Sequence, residues 1–107
     1  MQEIRRRLSS LYKLKDGTGI FLTPSGSDAE YIPLLLAQHF NPGKPITNIV
    51  TCNEEVGSGT LDASGGRFFS TLEPIAGYTG HMEGGVKMSD IVNGLGETTK
   101  TVAIDAR

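Results

Sequence analysis

The chain has a single cysteine, Cys52. No disulfide framework can hold it together, and a reducing, cytoplasmic setting is expected. It also lacks an excess of either charge, with a net charge of −2. The one basic run is Arg5-Arg6-Arg7. A lone triplet falls short of the footprint that nucleic-acid binding needs, and it reads as the solvated face of a helix. No apolar stretch approaches a membrane span, and the charged N-terminus has no apolar signal segment. Internal repeats and low-complexity segments are absent. What remains is an ordinary soluble composition, 37% hydrophobic and 21% charged, in a length that suits one small domain or a piece of a larger one.

Several chemical motifs are incomplete. No Gly-Lys-Ser/Thr follows a glycine loop, so there is no Walker A sequence. Gly57-Ser58-Gly59-Thr60 starts like a dinucleotide fingerprint, but Asp62 stands where the last glycine belongs. His81-Met82-Glu83 has the H-x-E spacing of zinc deaminases without the cysteine pair. His39 and His81 have no carboxylates at metal-ligand spacing, and read as partly solvated side chains. Cys52 has no neighbouring histidine or helix N-terminus to make it a thiolate, and is expected to be buried and inert.

Glycine is the residue in excess, 14 of 107 against a usual ~7%. Most of it falls between Gly57 and Gly96, which predicts loops and close backbone approaches. Elsewhere the pattern is regular. Ile4, Leu8, Leu11 and Tyr12 predict a helix over 2–14. Lys15 to Gly19 is a turn. Ile20 to Thr23 is short, continuous and apolar, which predicts a buried strand. A second helix, capped by Ser27 or Asp28, should run to about Phe40, with a kink or loose first turn at Pro33. Asn41-Pro42-Gly43 stops it.

Further strands are expected at Ile46–Cys52, Arg67–Leu72 and Thr101–Ile104. A short helical turn is allowed within 53–66, a loop is expected from Pro74 to Gly85, and a short helix from Met88 to Leu95. Strands alternating with helices predict an α/β architecture with a mainly parallel sheet. So few strands leave exposed sheet edges, which favours self-association.

The segment Thr23-Pro24-Ser25-Gly26-Ser27-Asp28-Ala29-Glu30 has the local design of a phosphate cradle. Gly26 permits close backbone approach, and Ser27 can cap the helix and donate a hydroxyl. The first helical N–H groups have no internal partner and point at an anion placed there. The same residues also make a plain turn with a good N-cap. Glu54-Glu55 follows a strand at its carboxyl end, where α/β sheets bind ligands. Those carboxylates either orient a cofactor, act in acid–base chemistry or sit exposed on a loop.

Taken in order, these blocks resemble a stretch of the fold-type I pyridoxal-phosphate-dependent enzymes, of the aminotransferase class V and cysteine desulfurase-like group. Ile20 through Glu30 is similar to the family's strand followed by Ser-Gly-Thr-Glu-Ala. Ile46 to Glu55 resembles the next strand with its acidic end. Gly85 to Leu95 and Thr99 to Ile104 resemble the loop, helix and T-K-x-V strand beyond it. The helix with Arg7-Leu8 and Leu11-Tyr12 fits the one before the first strand.

The resemblance implies that residues 1–107 form a single partial α/β domain, a segment of a three-layer αβα large domain with a mainly parallel sheet. It implies pyridoxal 5'-phosphate as cofactor, bound through Ser25, Gly26 and Ser27, and an amino-acid or amine substrate in transferase- or lyase-type chemistry. It assigns no catalytic residue here. None of the lysines sits in the family's Ser-x-His-Lys context, and the Asp for the pyridine nitrogen lies on a later strand. Where the family places a ring-stacking histidine, Glu54-Glu55-Val56 offers Val56 or a carboxylate. A homo-oligomer is expected, with no nucleic-acid or membrane partner. Two other readings are a non-enzymatic phosphate- or nucleotide-binding module and a structural, oligomerising fragment.

Overall fold

A computed structural model describes residues 1–71 and 87–106. The expected loop at Pro74–Gly85, the end of the Arg67–Leu72 strand and the His81-Met82-Glu83 motif lie outside the described residues.

Helix α1 spans Gln2–Leu11 and buries no residue. Its amphipathic spacing is satisfied only in part, since Ile4, Leu11 and Tyr12 remain exposed. The arginine triplet is a helix face, as its composition predicts. Arg6 and Arg7 pair with Glu3, and Arg5 Nε donates to the Ile20 carbonyl at 3.1 Å.

Ile20–Thr23 is not a strand. An apolar run favours an extended, sheltered backbone, but a ladder needs a second segment alongside. Phe21 stays 63% exposed, and this stretch pairs with no strand among the described residues.

The second predicted helix is present in two pieces. Helix α2 spans Gly26–Ala29 and helix α3 spans Tyr31–Phe40. Glu30, between them, keeps helical dihedrals (φ −62°, ψ −26°), so only the hydrogen-bond ladder is interrupted. Pro33 is the cause, because it has no N–H to donate to the Ala29 carbonyl four residues back. The cap is Ser25 rather than Ser27 or Asp28.

Strand β1, Ile46–Thr51, pairs in parallel with strand β2, Thr99–Ile104, with Ile46 opposite Thr99 and Thr51 opposite Ile104. Helix α4, Thr60–Ser64, is the short helical turn expected within 53–66. Helices α3 and α4 pack on one face of this pair. Asn48 Nδ2 donates to the Ser64 carbonyl at 3.1 Å, and the Ser64 and Thr101 hydroxyls lie 3.2 Å apart. Leu34, Val50, Ala63 and Leu95 form the buried apolar centre. On the opposite face Ile49, Val102 and Ile104 are exposed. Among the described residues the molecule is thus a small α/β domain with a two-stranded parallel sheet.

The predicted helix at Met88–Leu95 is also replaced by turns. Ser89 (φ 64°) and Gly94 (φ 84°) adopt left-handed backbone, which no continuous right-handed helix accommodates. The period-3.6 spacing of Met88, Ile91, Val92 and Leu95 instead serves a looped segment. Ile91 makes an antiparallel bridge with Arg67, and Phe68 exchanges backbone hydrogen bonds with Ser89 and Asp90, so the described part of the expected Arg67–Leu72 strand pairs with the 89–91 turn. The close approach here depends on glycine. Gly66 has φ 70°, and a Cβ on it would lie 2.8 Å from the Gly96 backbone.

Candidate functional site

The turn before α2 is built by its own side chains. Ser25 has an extended backbone (φ −149°, ψ 170°), as an N-cap requires. Its Oγ accepts from the Asp28 N–H at 3.2 Å and donates to Asp28 Oδ2 at 2.7 Å. Thr23 Oγ1 donates to the Ser25 carbonyl at 2.9 Å, and that carbonyl also accepts from the Ala29 N–H at 3.2 Å. Every polar atom of the Ser25 side chain is therefore engaged within the loop.

The next two residues are different. Neither the Gly26 N–H nor the Ser27 N–H has a partner among the described residues, and the Ser27 hydroxyl has none either. A Cβ on Gly26 would meet nothing within 4 Å, so the space beside this residue is open. Two consecutive free amides at a helix start are donors available to an oxyanion. Asp28 opposes this with its negative charge, but its carboxylate is drawn back onto the Ser25 hydroxyl. Of the three predicted residues, Ser25 shapes the loop, while Gly26 and Ser27 face outward as donors.

Helix α2 packs against α4, which brings the Gly57–Thr60 loop to the same region. Thr60 N–H donates to the Gly57 carbonyl at 3.0 Å. A Cβ at Gly59 would lie 2.9 Å from the Phe69 ring, so this glycine serves packing. Phe69 in turn contacts the Tyr31 ring at 6.0 Å. The Tyr31 hydroxyl donates to the Arg67 carbonyl at 2.7 Å. Burial pushes this phenol up to about 12, the Asp28 and Asp62 carboxylates add to the shift, and a backbone hydrogen bond from Phe69 opposes it. No sequence motif marks Tyr31; its role follows from the packing of α3 beside α4.

Glu54 and Glu55 sit where β1 ends. Asn53 Nδ2 donates to Asp105 Oδ1 at 2.8 Å, and the Ala106 N–H donates to Glu54 Oε2 at 3.3 Å. These contacts tie the carboxyl ends of the two strands together, which gives Glu54 a structural use. Glu55 is exposed. Cys52 is half-buried and holds a left-handed backbone (φ 54°). Val56 is half-buried and offers no ring. Among the described residues no three His, Cys, Asp or Glu side chains gather as a metal site, and no helix is long and apolar enough to cross a membrane.

Comparison of the chain with protein-family models, curated proteins and solved structures found no match.

Proposed function

We propose that the Ser25-Gly26-Ser27 turn is the phosphate anchor of a pyridoxal-phosphate-dependent enzyme that acts on an amino acid or amine by transferase- or lyase-type chemistry. The observation that carries this reading is the pair of unpartnered, adjacent amides at Gly26 and Ser27, with the free Ser27 hydroxyl beside them. The donor set suits a phosphate monoester, since each N–H and O–H would have one hydrogen bond to give to a phosphate oxygen. The near-continuous run of helical peptides from Gly26 to Phe40 adds its positive end at the same point. The cofactor would supply an electron sink for bond cleavage beside the amino group. The residues seen here would hold its phosphate and fix its position, and none of them is assigned a proton-transfer role.

The same reading includes a three-layer arrangement, in which further structure covers the exposed face of Ile49, Val102 and Ile104, and a homo-oligomer in a reducing, cytoplasmic setting. The bare face supports it, because parallel sheets are stable when both faces are covered.

The test compares pyridoxine phosphate with pyridoxine by amide chemical-shift titration. Saturable shifts at Gly26 and Ser27 with the phosphorylated compound, weakened about tenfold by Ser27→Ala, are expected. Equal responses to both compounds would overturn the proposal. A clear preference for a nucleoside monophosphate over pyridoxine phosphate would replace it with the non-enzymatic nucleotide-binding reading.

A further inference from the structure

We propose a second anion site, separate from the Ser25 loop, in the cleft along the free edge of β2. It would take a small molecule that bears a phosphate or carboxylate group. The cleft has a volume of about 280 Å³ and is lined by Asp62, Gly65, Arg67, Lys100 and Thr101, among others. Its floor is tight, since a Cβ at Gly65 would come within 2.9 Å of Thr101 Oγ1.

Arg67 is held in place before any ligand arrives. Its Nη1 donates to the Ser89 carbonyl at 2.7 Å, and the Ser89 hydroxyl donates to Asp62 Oδ2 at 3.0 Å. Asp62 thus reaches the guanidinium only through Ser89. Neither Arg67 nor Lys100 forms an ion pair among the described residues. Among the described lining residues Arg67 stands beside Asp62, and Lys100 leaves the edge strand at the rim, on the face of Val102 and Ile104. A planar guanidinium with free N–H groups also matches the geometry of an oxyanion.

The strand edge adds a backbone donor. The Ile46 N–H donates to the Thr98 carbonyl, and the Asn53 N–H to the Ile104 carbonyl. Even-numbered residues of β2 therefore direct their backbone groups toward β1. By the alternation of a parallel ladder, the Thr101 N–H faces the open edge. No second strand covers that edge among the described residues. The Thr99 and Thr101 hydroxyls are committed to the Leu95 and Leu61 carbonyls, so recognition rests on the Arg67 guanidinium and this amide, with Lys100 adding its charge from the rim.

The test titrates the chain with inorganic phosphate and, separately, with acetate, with ionic strength balanced by chloride. Saturable shifts at the Arg67 Nε–H and the Thr101 amide are expected. Preference between the two probes identifies the source as phosphate or carboxylate. Lys100→Gln, at an exposed position whose side chain makes no hydrogen bond among the described residues, should weaken binding at least fivefold. Arg67→Gln should weaken it at least tenfold, and Arg67→Lys should restore only part of the loss. Ser27→Ala should leave this binding unchanged, which separates it from the phosphate anchor. Non-saturating shifts centred on Arg5–Arg7, or wild-type binding by both Lys100→Gln and Arg67→Gln, would overturn the proposal.

Discussion

Ser25 shows how one hydroxyl can decide local structure. It accepts the Asp28 amide and binds the Asp28 carboxylate, closing the first turn of α2. Ser25→Ala should destabilise the chain by about 1 kcal/mol, the usual loss for a cap, measured by urea denaturation. It should also release the Asp28 carboxylate toward Gly26, so phosphate binding at the turn should weaken as well. The cap was readable in principle. Ser25 and Asp28 have the S-x-x-D spacing of a helix start, yet Ser27 and Asp28 are equally good capping types. The choice depends on which residue turns extended, and Pro24 biases the chain just before Ser25.

Tyr31 carries a pH-dependent contribution at this scale. Its folded value, about 12, lies above the ordinary 10.0. The folded chain keeps the phenol protonated where the unfolded chain releases it. The contribution is full below pH 10 and is lost as the pH rises toward 12. An ultraviolet titration should show one phenol ionising late, and Tyr31→Phe should remove that late component.

At the scale of elements, the break between α2 and α3 has a single cause. Pro33→Ala restores a donor for the Ala29 carbonyl at an exposed position. It should raise stability by about 1 kcal/mol, since the lost rigidity of the unfolded chain offsets part of the helical gain. Slower amide exchange over 30–34 and a higher urea midpoint would show it. Elements whose pattern matches their partner were legible from sequence. The centres of β1 and β2 read correctly because Ile49-Val50 and Val102-Ala103-Ile104 have β-type residues bounded by turns. The α2–α3 break was legible in kind, through Pro33. Ile20–Thr23 and Met88–Leu95 were not, since apolar spacing reports a wish for burial and not the partner that grants it. The left-handed backbone at Ser89 has no sequence signature, because serine rarely adopts it.

At the scale of the whole molecule, the described residues are short of interior. Among them Leu34, Val50, Ala63 and Leu95 are the buried apolar side chains, while Leu35, Leu36, Phe40, Ile49, Val102 and Ile104 are exposed. That imbalance supports the proposed association between copies of the chain. Sedimentation should show concentration-dependent self-association. Val102→Lys, which places a charge opposite Ile49, should shift the midpoint concentration upward at least tenfold without unfolding the chain. A monomer at all concentrations would contradict the proposed homo-oligomer. The Ser-Gly-Ser turn was legible as a helix start with spare donors, which the capped turn at Ser25 matches, whereas the cleft at Arg67 was not, because it joins residues from three separate segments.

The register of the sheet also dictates a time course. Ile46 finds its partner at Thr99, half the chain away, with no hairpin to guide it. Local helices can form in isolation on fast timescales, whereas this pairing must first close a long loop against its entropy. The sheet is therefore the late event of folding. Cutting the backbone between the strands would turn β2 docking from an internal closure into a two-body encounter, slow at low concentration and restored only by adding the severed half in excess.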